Sequence, residues 1–194
     1  MALKKLHVED GILLYDAHFL SETEVEALTQ ECDSKIHWQQ PSIKMFGKSV
    51  KIPRLQAWLG DEDAVYKYSG TTFMPESFTP EVTKLKQRIE AVTAQSFNSV
   101  LINKYRNGQD SMGWHSDNEK ELGDEPTIAS VTIGQPRVFE LQHKQSKEMC
   151  SILLASGSLL IMAGSLQTHW KHRINKSRHV NDVRINFTFR TVKK

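Results

Sequence analysis

Hydrophobic and polar positions follow two different spacings along this chain. In the first half, apolar residues recur at helical spacing over residues 22–33 and again over residues 80–95. Each stretch opens with a helix-start signal. The first has a capping box at Ser21–Glu24, and the second has the sequence Thr79–Glu81, whose threonine is expected to cap the helix. A short strand, Ile12–Tyr15, is expected before both helices.

After the second helix, the pattern changes to short strands rich in aliphatic and aromatic residues and separated by Gly and Pro. This order predicts an α+β fold: a double-stranded β-helix (jelly-roll, cupin-like) core with the N-terminal helices packed on one sheet. Such a sandwich has an open mouth in which a metal ion and a small acid can sit. The predicted strands are Phe97–Tyr105, Thr127–Ile133, Arg137–Gln142, Met149–Leu154, Leu159–Met162 and Arg184–Thr191.

Composition and charge are those of an ordinary globular chain. A length of 194 residues suits one domain, 1–194, and a net charge of +2 does not by itself indicate a nucleic-acid binder. Residues 41–60 and 149–181 are basic and free of acids, so each is either a phosphate-contact surface or a solvated face. Cys32 and Cys150 lack metal-type spacing. With no signal peptide or membrane-length apolar run, they predict free thiols in a reducing, intracellular compartment.

The strongest candidate chemistry lies in a His-x-Asp motif formed by His115 and Asp117. Residues i and i+2 of an extended segment point the same way, so an imidazole and a carboxylate can meet at one point. Completed by a distant histidine, they would form the facial triad of non-haem Fe(II) oxygenases. Taken alone, a His-x-Asp motif is more often two solvent-exposed side chains of a loop than part of a metal site. Spacing leaves four candidates for the third ligand: His143, His169, His172 and His179.

Polar and apolar residues alternate along the whole of the last strand. Such alternation is typical of a strand with one face on an apolar core and the other towards water. Two arginines on one face also suit a dicarboxylate, because a guanidinium binds a carboxylate through two parallel hydrogen bonds. The pattern leaves both interpretations open. The residues on the polar face are Arg184, Asn186, Thr188 and Arg190.

Together these motifs resemble the AlkB family of Fe(II)- and 2-oxoglutarate-dependent dioxygenases, over roughly residues 40–192. The family pattern selects His172, after Trp170, as the third iron ligand beside His115 and Asp117. In the resemblance, the first arginine of the last strand takes the distal carboxylate of 2-oxoglutarate, and the final arginine lies towards the metal end. The implied 2-oxoglutarate residues are Asn103, Tyr105, Arg184, Asn186, Thr188 and Arg190.

Further segments, among them Ile52–Gln56 and Tyr66–Gly70, resemble the AlkB homologue 2 branch, which repairs duplex DNA. The resemblance implies a substrate-recognition lid at residues 40–75 before a catalytic jelly roll at residues 97–192. Two positions depart from the branch, which usually has Asp at 118 and often Phe at 68, so contacts with the base would differ. The implied substrate residues are Phe46, as a wedge that replaces a flipped base, with Arg54, Gln56, Tyr66, Tyr68, Asn118 and Glu119.

The resemblance implies an enzyme with Fe(II) and 2-oxoglutarate as cofactors. It would hydroxylate the methyl group of 1-methyladenine or 3-methylcytosine in DNA and release formaldehyde. Alkylated DNA, duplex and single-stranded, is the implied partner, and RNA is a further one. We expect a monomer away from membranes, cytoplasmic in a bacterium or nuclear in a eukaryote, with no partner bound through a long N-terminal extension. The alternatives are an RNA or protein demethylase or hydroxylase with the same metal site, and a non-catalytic binder of damaged nucleic acid.

Overall fold

The computed structural model describes residues 3–45, 47–64, 66–68 and 71–193. The helices of this part of the chain are α1 (Glu22–Ser34), α2 (Pro80–Thr93) and the short α3 (Leu166–His169), with a 3-10 turn at Lys120–Leu122. The strands are β1 (Lys4–Leu6), β2 (Ile12–Asp16), β3 (Ser42–Met45), β4 (Lys48–Lys51), β5 (Leu55–Gly60), β6 (Tyr66–Tyr68), β7 (Thr71–Phe73), β8 (Ser99–Tyr105), β9 (Met112–His115), β10 (Ile128–Gly134), β11 (Arg137–His143), β12 (Met149–Leu154), β13 (Ser158–Ala163), β14 (Trp170–Ile174) and β15 (Arg184–Arg190).

Two antiparallel sheets form the body of the described chain. One has seven strands in the order β1-β2-β13-β10-β15-β8-β5, and the other has four in the order β12-β11-β14-β9. The hairpins β3–β4 and β6–β7 lie outside both sheets. Many neighbouring strands are distant in sequence, as β15 between β10 and β8 illustrates, and this order is that of a jelly roll rather than a meander. The predicted α+β fold with a double-stranded β-helix core is confirmed.

Both long helices pack on the outer face of the seven-stranded sheet. Leu28 of α1 and Leu85 and Ile89 of α2 share one buried cluster with Phe187 and Phe189 of β15. These positions recur at helical spacing on α1 and α2 and at alternate positions on β15, so each element contributes its apolar face. The cluster anchors β15, whose opposite face carries the polar residues of interest.

The second helix is capped by a residue of the first. Thr79 is the N-cap residue of α2, as predicted, but its side chain makes no capping hydrogen bond. Its hydroxyl donates instead to Glu31 Oε1, which also accepts the backbone N–H groups of Glu81 (3.0 Å) and Val82 (3.2 Å). The buried Glu31 carboxylate therefore satisfies N–H groups that the start of a helix leaves without intrahelical partners.

A second apolar cluster fills the space between the two sheets. It includes Leu13 and Met162 of the larger sheet and Leu141 and Trp170 of the smaller one. Strand β15 consequently has both faces buried, with its apolar residues towards the helices and its polar residues towards the other sheet. The interpretation in which the polar face meets water is wrong, because the smaller sheet covers that face.

Cys32 and Cys150 are both free thiols, as predicted. Cys32 lies in the helix-side cluster, and burial raises its pKa to about 12, which leaves it protonated and unreactive at neutral pH. Among the described residues, no helix combines the length and the apolarity needed to cross a membrane.

Candidate active site

Three predicted ligands, His115, Asp117 and His172, meet between the sheets. β14 pairs with β9, and this places His172 directly opposite His115, while Asp117 follows two residues after the end of β9. One donor atom from each of the three residues lies within 4.8 Å of the other two. The two imidazole rings have centroids 4.2 Å apart at an angle of 68°. His179, another candidate from spacing, is exposed.

Asp117 is held as a buried anion. Burial favours its neutral form, but Arg190, and after it His172 and His115, outweigh that effect and hold the pKa of the carboxyl below its usual range. Arg190 Nη2 lies 2.5 Å from Asp117 Oδ1, and His172 Nε2 lies 3.7 Å from Oδ2. The backbone N–H of Asp117 donates to Gln167 Oε1 at 2.9 Å, which fixes the segment in position.

Both histidines of this group are in a form that can bind a metal ion. The Nδ1 atom of His115 lies 2.9 Å from the carbonyl oxygen of Gly113, which can only accept a hydrogen bond. Nδ1 therefore carries a proton, which leaves Nε2 as the ring nitrogen of His115 that can bind a metal ion. Burial, followed by the charge of His115, lowers the pKa of His172 to about 3, so its imidazole is neutral at physiological pH. Neutral imidazoles and an ionised carboxylate are the ligand states that metal binding requires.

His169 belongs to a different group, with Asp10 and His143. There, the backbone N–H of Ser146 donates to His143 Nδ1 at 3.0 Å, so the proton of that ring is on Nε2. This Nε2 lies 3.3 Å from Asp10 Oδ2 and faces an anion with its proton rather than with a lone pair. Sequence spacing could not separate His169 from His172, and the structure does: only His172 joins His115 and Asp117 among the described residues.

A cavity opens beside the three ligands, between β15 and the smaller sheet. Polar groups from β8 and β15 line one side, and apolar side chains line much of the rest. All six residues expected to hold 2-oxoglutarate border this space. The lining residues include Asn103, Tyr105, Arg173, Arg184, Asn186, Thr188 and Arg190.

Arg184 lies at the end of the cavity away from Asp117 and has unused donors. Its Nη2 donates to Thr132 Oγ1 (3.0 Å) and Asn186 Oδ1 (2.6 Å), while Nε and Nη1 have no hydrogen-bond partner among the described residues. The guanidinium carbon lies 5.1 Å from the centre of the Tyr105 ring. Burial lowers the pKa of Arg184 to about 10, so it remains a cation at neutral pH. A buried cation with open donors fits a carboxylate such as the distal group of 2-oxoglutarate.

Asn186 organises the polar residues around Arg184. Its Oδ1 accepts from Arg184 and from the hydroxyls of Ser130 (3.1 Å) and Thr132 (3.2 Å), and its Nδ2 donates to Thr188 Oγ1 at 2.9 Å. Ser130 and Thr132 were not identified from the sequence. The signal was present, because they alternate with apolar residues on β10 and therefore share one face of a buried strand.

Arg54, expected to contact substrate, lies behind the cavity wall. It is buried, and its Nε donates to Asn103 Oδ1 at 2.9 Å while Nη1 donates to the carbonyl of Ser111 at 3.3 Å. Because Arg54 occupies the amide oxygen of Asn103, the amide Nδ2 is left to donate to another acceptor. This placement suits a residue that orients Asn103 towards an anionic co-substrate.

The other predicted substrate residues do not all lie at the active-site cavity. Asn118 is exposed and Glu119 half-buried, and both directly follow Asp117. Gln56 is buried and lines a separate surface groove with Gln39.

Phe46 lies outside the described residues, and for Tyr66 and Tyr68 only the backbone of β6 is described. Their contacts with a substrate therefore stay predictions.

Comparison with known proteins agrees with this donor set. The chain matches the 2OG-Fe(II) oxygenase superfamily over residues 12–190 and belongs to that superfamily. The resemblance to the AlkB family is confirmed by its relatives. Fe(II) and 2-oxoglutarate are the cofactors that the family implies, and the His-Asp-His group and the open donors of Arg184 fit them.

The relatives carry the names of two AlkB homologues. DNA oxidative demethylase ALKBH2 of Bos taurus is 37% identical over 180 residues, which cover 87% of this chain and 65% of the relative. Alpha-ketoglutarate-dependent dioxygenase alkB homolog 3 of Bos taurus is 39% identical over 184 residues, or 90% and 64% of the two chains. DNA oxidative demethylase ALKBH2 of Homo sapiens is 35% identical over 180 residues, which cover 87% of this chain and 69% of the relative. The chain thus spans slightly less than two thirds of the length of the two bovine relatives.

The solved structure of OsALKBH1 has the same fold. The two structures superpose with a TM-score of 0.69. The match covers 97% of this chain and 100% of the OsALKBH1 chain, and the sequence identity is 16%. At that identity, the likeness concerns the fold alone.

Proposed function

We propose that this protein is an oxidative demethylase of N-alkylated bases in DNA, with 1-methyladenine and 3-methylcytosine as substrates. The observation that carries the proposal is that one cavity holds both the His-Asp-His group and a buried arginine with open donors. A protein that only binds damaged nucleic acid needs neither feature. The names of the relatives, DNA oxidative demethylases among them, support the choice of DNA.

In this proposal, His115, Asp117 and His172 hold Fe(II). Arg184, with Tyr105, holds the distal carboxylate of 2-oxoglutarate. Bound there, the metal ion and the co-substrate would supply the activation of dioxygen, with one oxygen atom ending in the methyl group and the other in the succinate that forms from 2-oxoglutarate with loss of carbon dioxide. The N–C bond of the hydroxymethyl group would then break as its hydroxyl proton is lost to water, which releases formaldehyde and returns the bonding electrons to the base nitrogen.

The protein's own contribution is positioning and charge. Arg190 keeps Asp117 ionised, and the Gly113 carbonyl keeps the lone pair of His115 on Nε2. Asn186 and Thr132 fix one nitrogen of Arg184, so that its remaining donors need no reorganisation to receive a carboxylate.

The lid assigned to residues 40–75 would present the base. Its hairpin β3–β4 is antiparallel, with Met45 opposite Lys48, and all four residues of β4 are exposed. Gly47 has a φ of 77°, a conformation in which glycine is favoured. We propose that Phe46 wedges into the gap left by a flipped base, with Lys48 and Lys51 on the phosphates.

Methylated oligonucleotides test the function directly. Single-stranded and duplex DNA carrying one 1-methyladenine or 3-methylcytosine, and the matching RNA, are incubated with the protein, and methyl loss is followed by mass spectrometry. We expect methyl loss from DNA that requires both Fe(II) and 2-oxoglutarate. Methyl loss from RNA alone would favour the RNA enzyme, and no methyl loss from any oligonucleotide would overturn the proposal.

The wedge has its own test. Phe46→Ala should reduce repair of a methylated duplex by about tenfold or more and leave the same lesion in a single strand nearly unaffected, because only a duplex loses pairing and stacking when the base flips. Val50→Ala, which shortens an exposed apolar side chain of β4, is the matched control. An equal loss on both substrates, with a lower melting temperature, would show that Phe46 is a packing residue.

A further inference from the structure

Trp114, Lys171 and Arg173 form a compact basic patch that the chemistry above does not use, named here the Trp114 patch. Trp114 precedes the ligand His115 on β9, and the two cations flank His172 on β14. Arg173 Cζ lies 4.3 Å, and Lys171 Nζ 5.1 Å, from the centre of the indole ring. The patch therefore lies on the opposite side of the same two strands that carry the metal ligands.

Arg173 is fixed in place by only part of its guanidinium. Its Nε donates to Glu140 Oε2 on the neighbouring strand at 2.6 Å, and its flat face lies against the indole. In the part of the chain that the structure describes, its two terminal nitrogens make no hydrogen bond with protein. Arg173 is also one of the residues that border the active-site cavity, so the patch extends from the outer face of the smaller sheet to the edge of that cavity. Lys171 is half-buried and has no carboxylate partner among the described residues.

The charges of the patch favour an anion. Two cations face one carboxylate, Glu140, and no acid occurs in residues 149–181, where Lys176 and Arg178 are also exposed. Two fixed positive groups beside the opening of a cavity suit a phosphodiester chain, which carries regularly spaced negative charges.

We propose that the Trp114 patch is a phosphate-contact site for the strand whose base enters the cavity. Lys171 and Arg173 make the contacts, and the indole holds both side chains in place so that little conformational freedom is lost on binding. The proposal rests on the proposed function for the identity of the partner, a nucleic acid. It assigns the second acid-free stretch of the sequence, at least around β14, to phosphate contact rather than to a solvated face.

Salt dependence tests this site without turnover. Binding of an unmethylated, fluorescently labelled single-stranded oligonucleotide is measured by anisotropy at several salt concentrations, with no iron or 2-oxoglutarate added. Lys171→Gln and Arg173→Gln should each weaken binding and reduce the slope of log affinity against log salt by about 0.7, the value for one phosphate contact on a single strand. Lys5→Gln, at an exposed position of the edge strand β1, is the matched control and should leave the slope unchanged.

Variants of the tryptophan separate ordering from charge. Trp114→Ala should weaken binding roughly threefold or more at unchanged slope, because the two cations remain but are no longer held in place. Trp114→Phe should retain most of the affinity, and melting temperatures verify that each variant is folded.

Slopes for Lys171→Gln and Arg173→Gln equal to that of Lys5→Gln would overturn the site even if the protein demethylates DNA. Absence of salt-dependent binding by the unaltered protein would overturn the site, whereas lack of methyl loss despite normal slopes would overturn the proposed function alone.

Discussion

The carbonyl of Gly113 and the amide of Ser146 give two histidines of this protein opposite tautomers. In His115, Nδ1 carries a proton and Nε2 is available to a metal ion. In His143, Nδ1 accepts a hydrogen bond and the proton is on Nε2. Two groups of similar composition, each with two histidines and one aspartate, therefore differ in their capacity to bind a metal ion. The sequence contains both sets of residues but not these backbone contacts, and for that reason spacing could not choose between His169 and His172.

This difference predicts the effect of removing each histidine. His172→Ala should weaken binding of Fe(II), or of Mn(II) in its place, by at least about a hundredfold, since even the loss of an outer partner of a ligand costs ten- to a hundredfold. His169→Ala is the matched control, three residues away on the same segment, and should bind the metal normally. Calorimetric titration of both variants measures this, and a reversed result would show that the other group is the metal site.

The two arginines of β15 predict different defects. The open donors of Arg184 should bind a carboxylate, so Arg184→Gln should raise the dissociation constant of 2-oxoglutarate about ten- to a hundredfold, corresponding to roughly 1.5–3 kcal/mol for a charge-assisted contact. Arg190 is paired with the metal ligand Asp117. Loss of Arg190 should therefore reduce the affinity for the metal ion in addition to the affinity for 2-oxoglutarate.

Titration of 2-oxoglutarate into the Mn(II)-loaded protein measures the effect of the Arg184 change. Arg178→Gln, at an exposed loop position, is the control and should bind the co-substrate normally. Normal 2-oxoglutarate affinity in Arg184→Gln would remove this residue from the site.

At the scale of secondary-structure elements, α1 and α2 were predictable because each carries a local apolar stripe and a start signal. The strands β9 and β14 were not predicted as strands. β14, Trp170–Ile174, has only five residues, with charged groups at alternate positions, and it forms a strand because β11 and β9 pair with it on either side. Such pairing is a long-range effect, which a local pattern does not contain.

The carboxylate of Glu31 makes an element-scale prediction. Glu31→Ala removes the acceptor of three hydrogen bonds at the start of α2 and should lower the free energy of unfolding by about 2–3 kcal/mol. Glu26→Ala, on an exposed position of α1, should change it by no more than about 0.5 kcal/mol. Chemical denaturation compares the two variants. Equal stability would mean that α2 does not depend on this contact between helices.

At the scale of the whole molecule, the site is a row of polar residues inside a sandwich. The alternation in β15 indicated which residues share a face, but it could not indicate that the smaller sheet covers that face. The burial of Arg184 and Arg190 follows from strand order across the entire chain, which the resemblance to a known family implied and local spacing did not. Once that face is enclosed, the row is more consistent with ligand binding than with a solvated surface.

One measurement tests the central claim, that this cavity couples oxidation of 2-oxoglutarate to removal of a methyl group from DNA. Succinate and repaired base are quantified in the same reaction on a single-stranded oligonucleotide with one 1-methyladenine. We predict one succinate for each repaired base at early times, and neither product with His172→Ala. Repair that proceeds without succinate, or that survives in His172→Ala at an undiminished rate, would contradict it.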